Sequence, residues 1–167
     1  RTLLRLLDSL LIKSNYISCT IHSMAHIHEH YDFTVSAYVL HPTQPKIALH
    51  FHKKLFKWLQ FGGHVELDED PAQALTHELL EEAGFSPKDY EIMQTLDQPH
   101  PRGSKTLNLP FHYEVHSFAD TEHNHIDMQY LVRAKTDRFK PQDGESKTIA
   151  WCTLDEIKKI HKSGEMK

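Results

Sequence analysis

Three glutamates lie close together near the middle of the chain and are the residues best suited to do chemistry. Glu78, Glu81 and Glu82 stand at positions i, i+3 and i+4, a spacing at which side chains on a helix become neighbours. Like charges so placed repel one another, but a bound divalent cation reverses the sign of that interaction. Carboxylate oxygens are ligands that suit Mg²⁺ or Mn²⁺. The spacing therefore predicts a metal site for phosphate chemistry.

The segment that carries these glutamates has clear helix boundaries. Asp70 can be the N-cap, Pro71 fits the first helical position, and Gln73 completes a capping-box pattern. Gly84 suits the left-handed position that ends a helix. These signals predict one helix between residues 70 and 84.

An apolar stripe along this helix indicates how its glutamates are placed. The stripe consists of Leu75, Leu79 and Ala83. Because Glu78 and Glu82 lie next to it, we expect both side chains at the edge of the buried face, pointing into a cleft.

The remaining chain alternates predicted strands with predicted helices. A leucine pattern predicts a first helix over about residues 2–13, and Thr153 with Glu156 predicts the cap of a final helix. Strand patterns cover 31–40, 46–52, 91–96, 111–118, 126–134 and 149–152. Helices separated by several strands indicate a sheet packed between helices.

Residues 63–85 resemble the Nudix box, in which glycines and glutamates recur at fixed spacing. The matching residues are Gly63, Glu69, Glu78, Leu79, Glu81, Glu82, Gly84 and Phe85. One position departs, because His77 stands where the family usually has Arg. The fixed spacing over the whole segment makes the resemblance specific.

The resemblance implies an architecture. It implies an α/β fold, a Nudix-type α/β/α sandwich with a mixed β-sheet, here with an N-terminal helix in addition. We expect a single domain over 1–167, in which 31–160 form the Nudix core and 1–30 form a helical N-terminal extension.

The resemblance also implies a reaction, the divalent-metal-dependent hydrolysis of a pyrophosphate bond in a nucleotide or a nucleoside diphosphate-linked compound. By carry-over, Glu78, Glu81 and Glu82 bind Mg²⁺ or Mn²⁺ or position the attacking water, with Glu82 the strongest ligand. A backbone carbonyl near Gly63 adds a ligand in many members. Glu69 more often supports the loop than contacts metal.

The identity of the general base stays open at this point. Such a base must lie within hydrogen-bond reach of the attacking water. Glu78 is the first candidate. Glu145, on the loop before Trp151, is the second, although a solvated loop charge explains Glu145 equally well.

His77 has two interpretations. An Arg at this position would hold a carboxylate through a planar, permanently charged contact, whereas His is shorter and loses its charge near neutral pH. The first interpretation is a slower or more pH-sensitive enzyme. The second is a ligand-binding or regulatory module without turnover. We favour the enzyme, because all three box carboxylates are present.

The chain has 15 histidines, and some are candidates for substrate or metal contacts. His123, His125 and Asp127 stand at alternate positions, so a strand would place all three side chains on one face. These side chains either form a second metal or phosphate contact or belong to a polar surface. His64 directly follows the double glycine and Lys57 precedes it by a few residues. Both could reach substrate phosphates. Otherwise, His64 is a residue at the exit of a strand and Lys57 is a solvated surface lysine. A transition-metal-binding protein is a third interpretation of the whole chain.

Composition narrows the class of protein. The 167 residues carry a net charge of −4, so no stable nucleic-acid binding is expected. The family resemblance implies a small nucleotide or diphosphate substrate. Two cysteines, Cys19 and Cys152, favour a reducing, cytoplasmic location. No apolar run reaches membrane-spanning length, and no membrane association is expected. Family analogy adds a homodimer as an expectation.

Overall fold

The computed structural model describes residues 30–93, 102–117 and 123–166. Within them the chain forms β1 (Tyr31–Leu40), β2 (Lys46–His52), β3 (Lys57–Leu59), β4 (Phe61–His64), α1 (Pro71–Glu78), β5 (Tyr90–Ile92), β6 (His112–Ser117), β7 (Asn124–Ala134), β8 (Ile149–Thr153) and α2 (Leu154–Ser163). The helix predicted over residues 2–13, and the N-terminal extension with it, lie outside the described residues.

The strands form one mixed sheet, as predicted. Strands β1 and β7 run parallel along their full length, from Tyr31 opposite Asn124 to Leu40 opposite Arg133. The other pairings are antiparallel: β1 with β2 and β4, β2 with β3 and β8, and β7 with β5 and β6. The parallel pair therefore lies at the centre of the sheet.

Each face of the sheet packs against one of the described helices. On β1, Val35, Ala37 and Val39 belong to the core cluster that contains Leu75 of α1. Leu40 and β2 residues Ile47 and Leu49 belong to a second cluster, which contains Ile157 of α2. Because successive strand residues point to opposite faces, α1 and α2 lie on opposite sides of the sheet. This arrangement confirms the predicted α/β fold.

The helix that carries the glutamates starts and stops where predicted, but its last turn differs. The Asp70 side chain accepts hydrogen bonds from the backbone N–H groups of Ala72 and Gln73. Gly84 ends the segment in the left-handed conformation, with φ of 74°. Between them, Leu79–Ala83 form a π-helical turn, in which the Gly84 N–H donates to the carbonyl of Leu79. The α-helix proper therefore ends at Glu78.

Strand boundaries shift by a few residues from those predicted. Strand β7 begins at Asn124 rather than 126, which extends the parallel pairing to the start of β1. Strand β5 covers Tyr90–Ile92, and residues 94–96 of the predicted strand lie outside the described residues. None of the described helices combines the length and apolar character that crossing a bilayer requires.

Candidate active site

The backbone of β4 packs directly against two glutamates at the end of α1. The Gly62 N–H donates a hydrogen bond of 2.8 Å to Oε2 of Glu82. A methyl group on Gly63 would overlap Oε1 of Glu78, far inside contact distance. Glycine at position 63 therefore allows the Glu78 carboxyl to lie against the strand. The double glycine of the motif thus has a steric reason visible in the structure.

Burial makes both of these carboxyl groups difficult to ionise. Glu82 is 6% exposed, and burial raises its pKa to about 9, although the hydrogen bond from Gly62 lowers it in part. The pKa of Glu78 is raised to about 7, mainly by burial and also by the nearby Glu81 and Glu145 charges, although His77 lowers it in part. A cation placed between the two groups would offset this cost.

His50 lies beside Glu82 but does not neutralise it. Its Nδ1 is 3.6 Å from Oε1 of Glu82, which is longer than a hydrogen bond. Burial lowers the pKa of His50 to about 4, so the imidazole is neutral near pH 7. The donor set at this position is therefore dominated by carboxylate oxygens, the chemistry that fits Mg²⁺ or Mn²⁺.

Glu81 is placed differently from its two neighbours. Its Oε1 lies 3.0 Å from Nε2 of His77, and Nδ1 of His77 lies 3.1 Å from Oε1 of Glu69. The contact with Glu81 is the first cause of a raised pKa at His77. His77 therefore bridges two carboxylates of the motif. The family usually has Arg at this position.

The three glutamates predicted to hold metal have different neighbours in the described structure. Within the described residues, a group of three potential ligand side chains with donor atoms within 4.8 Å of one another occurs at Asp32, His123 and His125, and not at the three glutamates. Glu78 and Glu82 adjoin β4, whereas Glu81 contacts His77. The glutamates still suit Mg²⁺, which keeps several waters and needs only one or two carboxylates.

Glu145 reaches the same site from a distant part of the sequence. Its charge contributes to the raised pKa of both Glu78 and Glu82. The Nζ of Lys53 donates to the carbonyls of Gly144 and Glu145, at 2.9 and 2.7 Å. These bonds fix the loop that presents Glu145.

Histidines predicted to contact substrate form a second cluster around Asp32. Oδ2 of Asp32 lies 3.1 Å from Nε2 of His123 and 3.4 Å from Nε2 of His64. The His125 ring packs at 5.0 Å from His64 and 5.3 Å from His123, between centroids. Asp32 was not among the site residues predicted from the sequence. Polar residues alternating along predicted strand 31–40, at Asp32, Thr34 and Ser36, were the available signal.

Asp127 and Lys57 occupy other positions. Oδ1 of Asp127 accepts hydrogen bonds from Thr34 and Ser36, at 2.9 and 3.1 Å, and burial raises its pKa. Asp127 thus shares a strand face with His125 but is anchored to β1 hydroxyls. Lys57 donates to the carbonyl of Gly164, near the end of the described chain.

The two polar groups lie on opposite faces of the sheet. Gly63 faces Glu78 on the α1 side, so the next residue, His64, points to the other side. His125 likewise alternates with Met128 and Tyr130, which pack in the α1 core. Strand β4 is therefore shared by both polar groups.

Comparison with known proteins identifies the family. The family model described as "NUDIX domain" matches residues 32–166. The chain is 29% identical over 109 residues to the Danio rerio protein named m7GpppN-mRNA hydrolase NUDT17, covering 62% of this chain and 34% of that protein. The chain thus spans about a third of that relative's length.

Solved structures show the same fold. A NUDIX-family hydrolase from Clostridium perfringens superposes with a TM-score of 0.66 and 29% identity, over 84% of this chain and 90% of that one. A C. elegans Ap4A hydrolase gives a TM-score of 0.59 at 16% identity, over 78% and 86%. Because the family model covers nearly all of the described core, this chain belongs to the NUDIX family.

Proposed function

We propose that this chain is a divalent-metal-dependent hydrolase that cleaves a pyrophosphate bond in a nucleotide or a nucleoside diphosphate-linked compound. The observation that carries the proposal is the placement of Glu82 and Glu78 against the Gly62–Gly63 backbone, on the wall formed by β4 and the end of α1. Membership of the NUDIX family supports the reaction class.

The carboxylates have distinct roles in this proposal. Glu78 and Glu82, with the carbonyl of Gly63, would hold Mg²⁺ or Mn²⁺, and Glu81 would complete the ligand set from its position beside His77. When bound, such an ion neutralises phosphate charge and acidifies a coordinated water. The Gly62 N–H holds Oε2 of the Glu82 carboxyl, whereas Oε1 lies 3.6 Å from Nδ1 of His50.

A second carboxylate is needed to accept the proton of the attacking water. Glu78 and Glu145 are the two candidates near the site. Glu145 lies on a loop held by Lys53, and we assign it the proton-accepting role because Glu78 is committed to the β4 contact.

A substrate panel tests the proposal. We expect release of mononucleotide or phosphate from at least one diphosphate compound in Mg²⁺ or Mn²⁺, and loss of that release with EDTA. Glu82→Gln should reduce kcat by about 10²-fold or more, the scale of losing a main electrostatic contact in the transition state. Glu66→Gln is the matched control, because Glu66 is exposed in the preceding loop and should keep full activity.

The panel should include compounds named for the relatives. These are m7GpppN-capped RNA, for the Danio rerio relative, and diadenosine tetraphosphate, for the C. elegans structure, together with nucleotide sugars. Binding of a diphosphate without release of product, in either metal, would contradict hydrolysis and indicate a ligand-binding module.

A further inference from the structure

We propose a second metal site, for a divalent transition metal such as Zn²⁺, formed by Asp32, His123, His125 and His64. It lies on the α2 face of the sheet, away from the glutamates. The inference does not depend on hydrolysis, and the two sites are expected to load separately.

The distances from Asp32 to two of the imidazoles fit tetrahedral coordination. Two ligand atoms each ~2.1 Å from a tetrahedral metal are about 3.4 Å apart. The Asp32 oxygen lies 3.1 Å from the ring nitrogen of His123 and 3.4 Å from that of His64. Asp32, His123 and His125 each offer one donor atom, and all of these lie within 4.8 Å of one another. Small shifts would therefore place the donors around one ion.

The cluster is buried and built on paired strands. Asp32 is 0% exposed, His123 5% and His125 6%. Asp32 and His125 are direct partners in the parallel β1–β7 pair, and Thr34 of β1 is the partner of His64 in β4. Ligands held by strand register are presented at fixed positions, which lowers the entropic cost of binding an ion.

The cluster also has a route to solvent. The His64 side chain is 18% exposed, whereas the Asp32 side chain is fully buried. An ion could therefore enter past His64, which would close the site as the fourth ligand. The His116 ring packs against the His125 ring, with 5.3 Å between the centroids.

Donor chemistry separates the two sites of this protein. Imidazole nitrogens favour Zn²⁺ and its neighbours in the first transition series, whereas an all-carboxylate site suits Mg²⁺. Three imidazoles with one carboxylate resemble zinc coordination in donor type and number. We therefore expect Zn²⁺ and Co²⁺ to prefer the Asp32 cluster over the Glu78–Glu82 site, even in excess Mg²⁺.

Metal loading of the untagged chain tests the proposal. The protein is stripped with chelator, dialysed, and titrated with Co²⁺ and Zn²⁺, with metal content measured by mass spectrometry and Co²⁺ coordination by visible absorption. We expect one tightly held equivalent and the absorption of a tetrahedral Co²⁺ centre, displaced by Zn²⁺ and not by Mg²⁺.

Four variants assign the ion to this cluster. Asp32→Asn, which preserves shape, and His125→Ala should each weaken Co²⁺ binding at least about tenfold. His112→Ala, a partly exposed histidine on β6, should bind as the wild type does. Glu82→Gln should reduce kcat by about 10²-fold or more but keep the Co²⁺ spectrum, which distinguishes failure of this site from failure of the catalytic one.

Either of two results would overturn the site. One is the absence of a tight Co²⁺ equivalent in the wild type, as expected if the cluster is only a hydrogen-bonded network. The other is Co²⁺ binding that is unchanged in both Asp32→Asn and His125→Ala when circular dichroism shows each variant folded. Should His125→Ala fail to fold, Asp32→Asn alone decides.

Discussion

His77 replaces the usual Arg of the motif, yet its two ring nitrogens reach two carboxylates, those of Glu69 and Glu81. An Arg spans such a pair with a planar, permanently charged group, whereas His does so only through its two separate nitrogens. We infer that His77 is a positioning residue that supports Glu81 from outside the reacting atoms.

Replacing His77 tests this role. His77→Ala should lower kcat about tenfold and weaken Mn²⁺ activation, because Glu81 loses its partner. His77→Arg should retain or raise activity, because a longer cation reaches the same two carboxylates. Steady-state kinetics at several Mn²⁺ concentrations provide the measurement. A His77→Ala enzyme with unchanged kcat and unchanged Mn²⁺ dependence would show that the contact has no role.

Glu145 is the residue proposed to accept the proton of the attacking water. Removing a general base costs about 10²–10⁴-fold in rate, so Glu145→Gln should lower kcat by that range with little change in KM. Asp143→Asn, in the same exposed loop, is the control and should be active. A fully active Glu145→Gln enzyme would rule out Glu145 as the base and leave Glu78 as the remaining candidate.

At the scale of elements, the contact between β4 and the end of α1 determines the candidate active site. The capping residues of α1 were predictable because N-caps and left-handed glycines depend on local backbone geometry. The π-helical turn over Leu79–Ala83 was not, since it depends on how the helix end packs against the sheet. Both Glu81 and Glu82 lie in this turn, and Glu81 contacts His77 whereas Glu82 accepts a hydrogen bond from Gly62.

Gly63→Ala probes this contact. The added methyl group would overlap the end of the flexible Glu78 side chain, which can move aside. We therefore expect a folded protein with a small change in free energy of unfolding but a kcat at least about tenfold lower, since a displacement of ~1 Å can cost 10²-fold.

A double-mutant cycle gives the control for this prediction. In a Glu78→Gln background the carboxylate of residue 78 is already absent. Adding Gly63→Ala should therefore have little further effect on kcat. Fully additive losses would show that Gly63→Ala acts through something other than Glu78. Urea unfolding of all four proteins reports whether the fold is retained.

At the scale of the whole molecule, burial of charged groups links stability to pH. In the metal-free protein the pKa of Glu82 is raised to about 9 and that of Glu78 to about 7. The folded state therefore binds protons more tightly than the unfolded state, in which a glutamate has a pKa of ~4.3. This contribution to stability is fully present below the unfolded pKa and is lost as pH rises toward 9.

Thermal unfolding in EDTA measures the effect. The wild type should have a lower Tm at pH 8.5 than at pH 6, and Glu82→Gln should show a smaller difference, because an amide does not titrate. Glu66→Gln, which removes an exposed carboxylate, should keep the wild-type difference. Identical pH dependence of the wild type and Glu82→Gln would contradict the role assigned to burial.

The sequence by itself determined the class of fold, the helix caps and the identity of the acidic motif. These features depend on local backbone preferences and on the spacing of residues that are close together in the sequence. Only the tertiary structure brought Glu145 to the glutamates and Asp32 to His64, His123 and His125. These residues are far apart in the sequence, and the register between strands decides which of them meet. Register depends on the packing of the whole sheet, so no single segment encodes it.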